Sequence, residues 1–126
     1  MIAYLDTNAV VRLGQGRLRA IGREAFRLIS RAELLISPIV LLELEYLYEI
    51  GRLALPARDI QRKVEHELGA RLCDLPFADV ATAALDEKWT RDTFDRMIVA
   101  QAKVNGFAPL ISSDETIAEH YPRTIW

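Results

Sequence analysis

Four carboxylates stand out by position: Asp6, Glu43, Asp95 and Asp114. Asp6 directly follows the apolar run Ile2–Leu5, and Asp114 follows Leu110–Ser112. If those runs are parallel strands, both acids lie on the carboxyl rim of a sheet, where open α/β folds bind ligands. Each alone reads equally well as a helix N-cap. Glu43 sits inside an almost wholly apolar segment, 38–50. At about 100° per residue it points some 160° away from Glu45 and falls in line with Ile39, Leu47 and Ile50. A carboxylate on a buried face needs a core cation, a hydrogen-bond donor or a metal, and these alternatives stay open. Asp95 opens the apolar helical stretch Met97–Val104, one turn after Asp92, where the helix dipole favours an acid in any case. The signal therefore lies in the combination, two strand-end acids, one helical acid and one helix-start acid that a single rim could gather.

Carboxylates that converge repel and raise one another's pKa unless a cation sits among them. Cys73 is the only cysteine, which excludes an internal disulfide and a cysteine-based zinc site; it reads as a small buried hydrophobe. His66 and His120 are the only histidines. An oxygen-only donor set suits Mg²⁺ or Mn²⁺ rather than zinc. Such ions bind phosphate oxygens, lower the pKa of a bound water and stabilise charge at a scissile phosphate, which is metal-assisted phosphodiester hydrolysis in outline.

The elements that must position these acids follow from hydrophobic periodicity. Short apolar runs at 2–5, 34–36, 71–75, 109–112 and 124–126 read as strands. Longer patterns at 8–13, 20–32, 38–50, 57–69, 77–87 and 94–105, with a short one after Asp114, read as helices. Alternation of this kind predicts an α/β domain with a mostly parallel sheet. Ser37-Pro38 predicts a capped helix start, and Gly51 and Gly106 predict helix ends. The helix over 38–50 is apolar nearly all round, so it is expected to be buried on most sides, with Glu45 and Glu49 on its wet face.

With 126 residues, 51% of them apolar, the chain suits one domain spanning 1–126 with a real core. Runs such as Ile39–Leu42 are too short to span a bilayer, and Met1–Thr7 lacks the features of a secretory signal, so a cytoplasmic protein with no membrane association is expected. The net charge of −2 argues against binding nucleic acid by bulk electrostatics. Its distribution is uneven. Up to residue 42, six arginines face three acids, so this part carries about +3 and the rest about −5. A phosphate-contacting face beside a metal-binding one and a solvated helix face both fit that pattern.

At these residues the chain resembles the PIN-domain family, and within it the VapC-type toxin ribonucleases. The resemblance runs through Tyr4-Leu5-Asp6-Thr7-Asn8, Ser37-Pro38 with Leu42-Glu43-Leu44, the distinctive segment Trp89–Ala102, Leu110–Asp114, and the ending Tyr121-Pro122 with Ile125-Trp126. It implies a three-layer α/β/α fold with a central, mainly parallel sheet of four to five strands. It implies that Asp6, Glu43, Asp95 and Asp114 are catalytic and coordinate Mg²⁺ or Mn²⁺, that Thr7 and Ser112 supply hydroxyls, and that Asp92 is supporting. It further implies a homodimer, a VapB-like antitoxin partner, and cleavage of an RNA substrate such as tRNA or rRNA. Thr93 stands where the family commonly has proline and Ser112 where threonine is common. Arg12, Arg19, Arg23 and Arg27 are candidate RNA contacts. Arg96 is a candidate for phosphate or for an antitoxin acid, with a surface ion pair as the plainer alternative. A non-catalytic PIN-like binding module and a receiver-type phosphoacceptor domain are the competing readings. The receiver pattern wants adjacent acids after the first strand and a late lysine, which this chain lacks.

Overall fold

The computed structural model describes all 126 residues. In chain order the elements are β1 (Ile2–Leu5), α1 (Thr7–Gly14), α2 (Arg23–Ile29), β2 (Glu33–Ile36), α3 (Ile39–Glu49), α4 (Ala57–Leu68), β3 (Arg71–Leu72), α5 (Phe77–Ala84), α6 (Thr93–Val104), β4 (Leu110–Ile111), α7 (Glu115–His120) and β5 (Thr124–Ile125). The strands form one sheet in the order β3-β2-β1-β4-β5, every pair parallel. β1 is the central strand, and its run Ala3-Tyr4-Leu5 is buried, as expected of a parallel strand covered by helices. From β1 the chain winds outward through β2 and β3, then returns to build β4 and β5 on the other side. The winding reverses between β1 and β4, which opens a crevice at their carboxyl ends. The register pairs Leu5 with Ile111, and the Asp6 N–H donates to the Ile111 carbonyl at 3.0 Å. Asp6 and Ser112 are thereby neighbours across the strand ends.

Several element bounds differ from the sequence expectation, each for a local reason. The helix expected over 20–32 is reduced to α2, preceded by a single 3₁₀ turn at Leu18–Ala20. The break falls at Gly22, where an added Cβ would stand 2.4 Å from the Trp126 backbone carbon. α5 ends at Ala84 instead of residue 87, because Arg96 donates to the Ala84 and Leu85 carbonyls at 3.1 Å each. α3 begins on backbone bonds, with no capping bond from Ser37 or Pro38. Gly51 and Gly106 do take the left-handed conformation after their helices, at φ 82° and 69°.

The largest correction concerns α3. Only Val40 and Leu44 of this helix are buried; Leu42, Tyr46, Tyr48 and Ile50 are exposed. The helix packs mainly against α4 and α6, so much of its apolar girth faces outward. Glu45 is half-buried and accepts the Ala57 N–H at 3.0 Å, so it caps the start of α4 instead of marking a wet face.

Cys73 is buried as expected, but it is more than an apolar filler. It accepts hydrogen bonds from the Tyr4 hydroxyl at 3.0 Å and the Gln101 amide at 3.3 Å, tying β1 to α6. A second polar tie is Glu87, 3% exposed, which meets Lys103 at 2.5 Å and accepts the Trp89 indole N–H at 2.7 Å. Removing the cation leaves a buried carboxylate with one neutral donor. Lys103→Met is therefore expected to lower stability by about 2 kcal/mol or more, read as a reduced denaturant midpoint. Arg27→Met breaks an exposed ion pair with Glu24 and should stay within about 0.5 kcal/mol of the parent.

Candidate active site

The crevice at the winding reversal is a pocket of roughly 430 Å³, lined among others by Asp6, Glu43, Asp92, Asp95 and Asp114. The fold thus gathers five acids from four elements. Asp6 caps α1 and is almost wholly buried. Its oxygens accept from the Thr7 N–H at 2.7 Å, the Ser112 hydroxyl at 2.6 Å and the Asn8 amide at 2.8 Å. Ser112 also accepts the Asp114 N–H at 3.1 Å, which links the ends of β1 and β4. Asp114 caps α7 through one oxygen, accepting the Thr116 and Ile117 N–H groups at 2.8 and 3.1 Å. Asp6 and Asp114 are thus helix caps that also line the pocket: Asp114 keeps its second oxygen free, and Asp6 Oδ1, which accepts only the Thr7 N–H, keeps a lone pair.

Glu43 faces the pocket from the half-buried stripe it shares with Ile39 and Leu47. The Thr7 hydroxyl donates to its Oε1. No arginine pairs with it. Asp92 is exposed and caps α6 by accepting the Asp95 N–H at 3.0 Å. Asp95 itself is half-buried, and no side-chain hydrogen bond or ion pair reaches its carboxylate.

Electrostatics separates these acids. Burial, with repulsion from Asp92, Asp6, Asp114 and Glu43 adding in the same direction, pushes the Asp95 carboxyl up to about 7. Burial also raises Asp6, partly offset by the hydrogen bonds from Ser112 and Thr7. Glu43 is raised chiefly by burial, offset by the Thr7 hydroxyl, with Asp6 and Asp92 adding repulsion. The pocket is short of positive charge at its centre. Even so, no three Asp, Glu, His or Cys side chains close around a point that would hold an ion directly.

The arginines divide. Arg12 lines the pocket, where it donates to Ser113 Oγ at 2.9 Å and Asn8 Oδ1 at 3.4 Å and lies 5.1 Å from the Trp126 ring centroid. Arg19, Arg23 and Arg27 are exposed outside it, with Arg27 paired to Glu24. Arg96 is also outside, occupied by the carbonyls at the end of α5 instead of a surface ion pair. Three polar pocket residues are not among the site candidates of the sequence: Asn8, Arg17 and Arg52. For Asn8 the signal was its place two residues after Asp6. For the arginines it was the glycine preceding each, since Gly16-Arg17 and Gly51-Arg52 both follow a helix end.

The sequence matches the PIN domain family over residues 3–121. The chain belongs to the PIN-domain family. That match decides against a receiver-type domain. No curated protein matches this PIN domain by sequence. In fold it is similar to a chain of a toxin–antitoxin complex from Klebsiella pneumoniae, with a TM-score of 0.67 and 20% identity, covering 98% of this chain and 96% of that one. It is also similar to a chain of VapBC2 from Rickettsia felis, solved bound to a DNA fragment from its promoter. There the TM-score is 0.61 and the identity 18%, with 100% of both chains covered. At these identities the likeness is one of fold, and the PIN architecture here is the five-stranded parallel sheet flanked by helices.

Proposed function

We propose that this PIN domain is a Mg²⁺- or Mn²⁺-dependent endoribonuclease, the toxin half of a VapBC-type pair. The observation that carries the reading is Asp95, a half-buried carboxylate without a donor, surrounded by four other acids and raised to about 7. Asp6, Glu43, Asp95 and Asp114 would hold the ion. The donor set fits, because it is all oxygen and contains no cysteine or histidine. Because no three of the acids close around one point, the ion would keep several waters between itself and the carboxylates, as Mg²⁺, which dehydrates reluctantly, commonly does. When bound, the ion would lower the pKa of a water and neutralise charge on the phosphate.

The chain's own residues supply orientation. Ser112, Asn8 and the Thr7 N–H leave Asp6 no freedom to turn. The Thr7 hydroxyl holds Glu43, and Asp92 pins the helix start that carries Asp95. RNA, as tRNA or rRNA, is the proposed substrate, in keeping with the arginines beside the acids. A VapB-like antitoxin is the proposed inhibitor, supported by the toxin–antitoxin complexes among the similar folds. The exposed apolar residues of α3 suit such a partner or a second copy in a homodimer.

Incubating the purified protein with bulk tRNA and rRNA tests this reading. Cleavage in Mg²⁺ or Mn²⁺ that stops in EDTA is the expected outcome. Intact RNA under all conditions, together with no metal binding by calorimetry, would leave a non-catalytic module.

A further inference from the structure

The pocket carries charge of both signs that does not cancel. Arg12, Arg17 and Arg52 line the same space as the five acids, yet none of the three forms an ion pair. Elsewhere in the molecule arginines find acids readily, Arg27 with Glu24 and Arg71 with Glu33. Arg12 is already committed to Ser113, Asn8 and the Trp126 ring. Arg17 and Arg52 are not. Arg17 reaches only Gln15 Oε1 at 3.4 Å, Arg52 donates no side-chain hydrogen bond, and both are exposed.

Their backbones, by contrast, are fixed in the same way. α1 is followed by Gly16 at φ 69°, and the Arg17 N–H returns to the Arg12 carbonyl at 2.9 Å. α3 is followed by Gly51 at φ 82°, and the Arg52 N–H returns to the Leu47 carbonyl at 2.8 Å. Each glycine takes the left-handed conformation that ends a helix and turns the next residue back along it. The two helices that bring Asp6, Thr7 and Glu43 to the pocket are therefore each followed by a free, exposed guanidinium that lines the same space.

We propose that Arg17 and Arg52 bind phosphates of the RNA chain that flank the scissile one, so that the acids hold the reacting phosphate and these two cations hold the strand. The inference rests on the nuclease reading above and assigns its substrate-binding residues. Guanidinium suits the task because its planar fork meets two phosphate oxygens at once.

The test uses 3′-fluorescein-labelled bulk tRNA, bound in Mg²⁺ to protein carrying Asp95→Asn so that it is not cut, with salt varied. Cleavage kinetics are measured in parallel with Asp95 intact. Arg17→Ala and Arg52→Ala should each weaken binding about tenfold and lower the salt slope by about 0.7 to 0.9. KM should rise with kcat nearly kept, and thermal midpoints should not move. Arg62→Ala, an exposed arginine of α4 outside the pocket, should leave KM as in the parent. If the parent cleaves tRNA while Arg17→Ala and Arg52→Ala keep its KM and salt slope, the assignment is overturned and the nuclease reading stands. If the parent neither binds nor cleaves tRNA, both are overturned.

Discussion

Asp95→Asn is expected to lower RNA cleavage by about a thousandfold while leaving the fold intact and the metal-free protein more stable than its parent. The two effects share one cause. Asp95 is half-buried beside Asp92, Asp6, Asp114 and Glu43, with no donor to offset the repulsion. Asparagine has nearly the same shape and removes the charge, so the local strain is relieved at the expense of the group that would face the ion. Trading stability for a charged site is a recurrent property of active sites. Cleavage rate and thermal midpoint, measured on the same preparation, check the prediction. A variant that cleaves like the parent would remove Asp95 from the site. A variant that loses activity only because it unfolds would make Asp95 structural.

Stability of the metal-free protein should also fall as pH rises from about 4 to about 7. The direction follows from the raised Asp95 pKa. Between the ordinary aspartate value of 3.8 and about 7 the folded chain holds a proton that the unfolded chain has released. Each step up in pH therefore favours unfolding, and the loss is complete above pH 7. For a half-buried group screened by water, the loss from Asp95 is on the order of 1 to 2 kcal/mol. Asp6 and Glu43, raised in the same sense, add to it. Mg²⁺ or Mn²⁺ at pH 7.5 should restore the midpoint, by about 2.7 kcal/mol at a hundred times the dissociation constant. The recovery should be much smaller in Asp95→Asn. Thermal melts across pH, with and without the ion, give the answer. A midpoint indifferent to both pH and metal would mean that the acids do not form one electrostatic unit.

Much of this molecule is determined by sequence alone. The apolar run Ile2–Leu5 ending on Asp6 specifies a buried central strand and the acid at its tip, because period and burial are local properties. The glycines at 51 and 106 end their helices through backbone freedom, which is equally local. The four acids were legible because each breaks a pattern around it.

What the sequence could not determine depends on which elements meet. Glu43 was open between an arginine and a metal until α3 was seen beside α1, where a threonine hydroxyl holds it and no arginine pairs with it. Periodicity makes helix 38–50 a buried one because it reports apolar girth, not the number of neighbours, and tertiary packing buries only Val40 and Leu44 of α3. Position 22, at the break before α2, must be glycine because Trp126, more than a hundred residues away in sequence, occupies the space of a side chain. Arg96, by sequence a candidate for phosphate, an antitoxin acid or a surface ion pair, donates to the carbonyls at the end of α5. Arg17 and Arg52 looked ordinary, and only the crossing of α1 and α3 beside the reversal of the sheet places them in one pocket with the acids. Local pattern chooses the elements and marks the unusual residues. The partner of each charge is chosen by long-range packing, and it is the partner that decides what the charge can do.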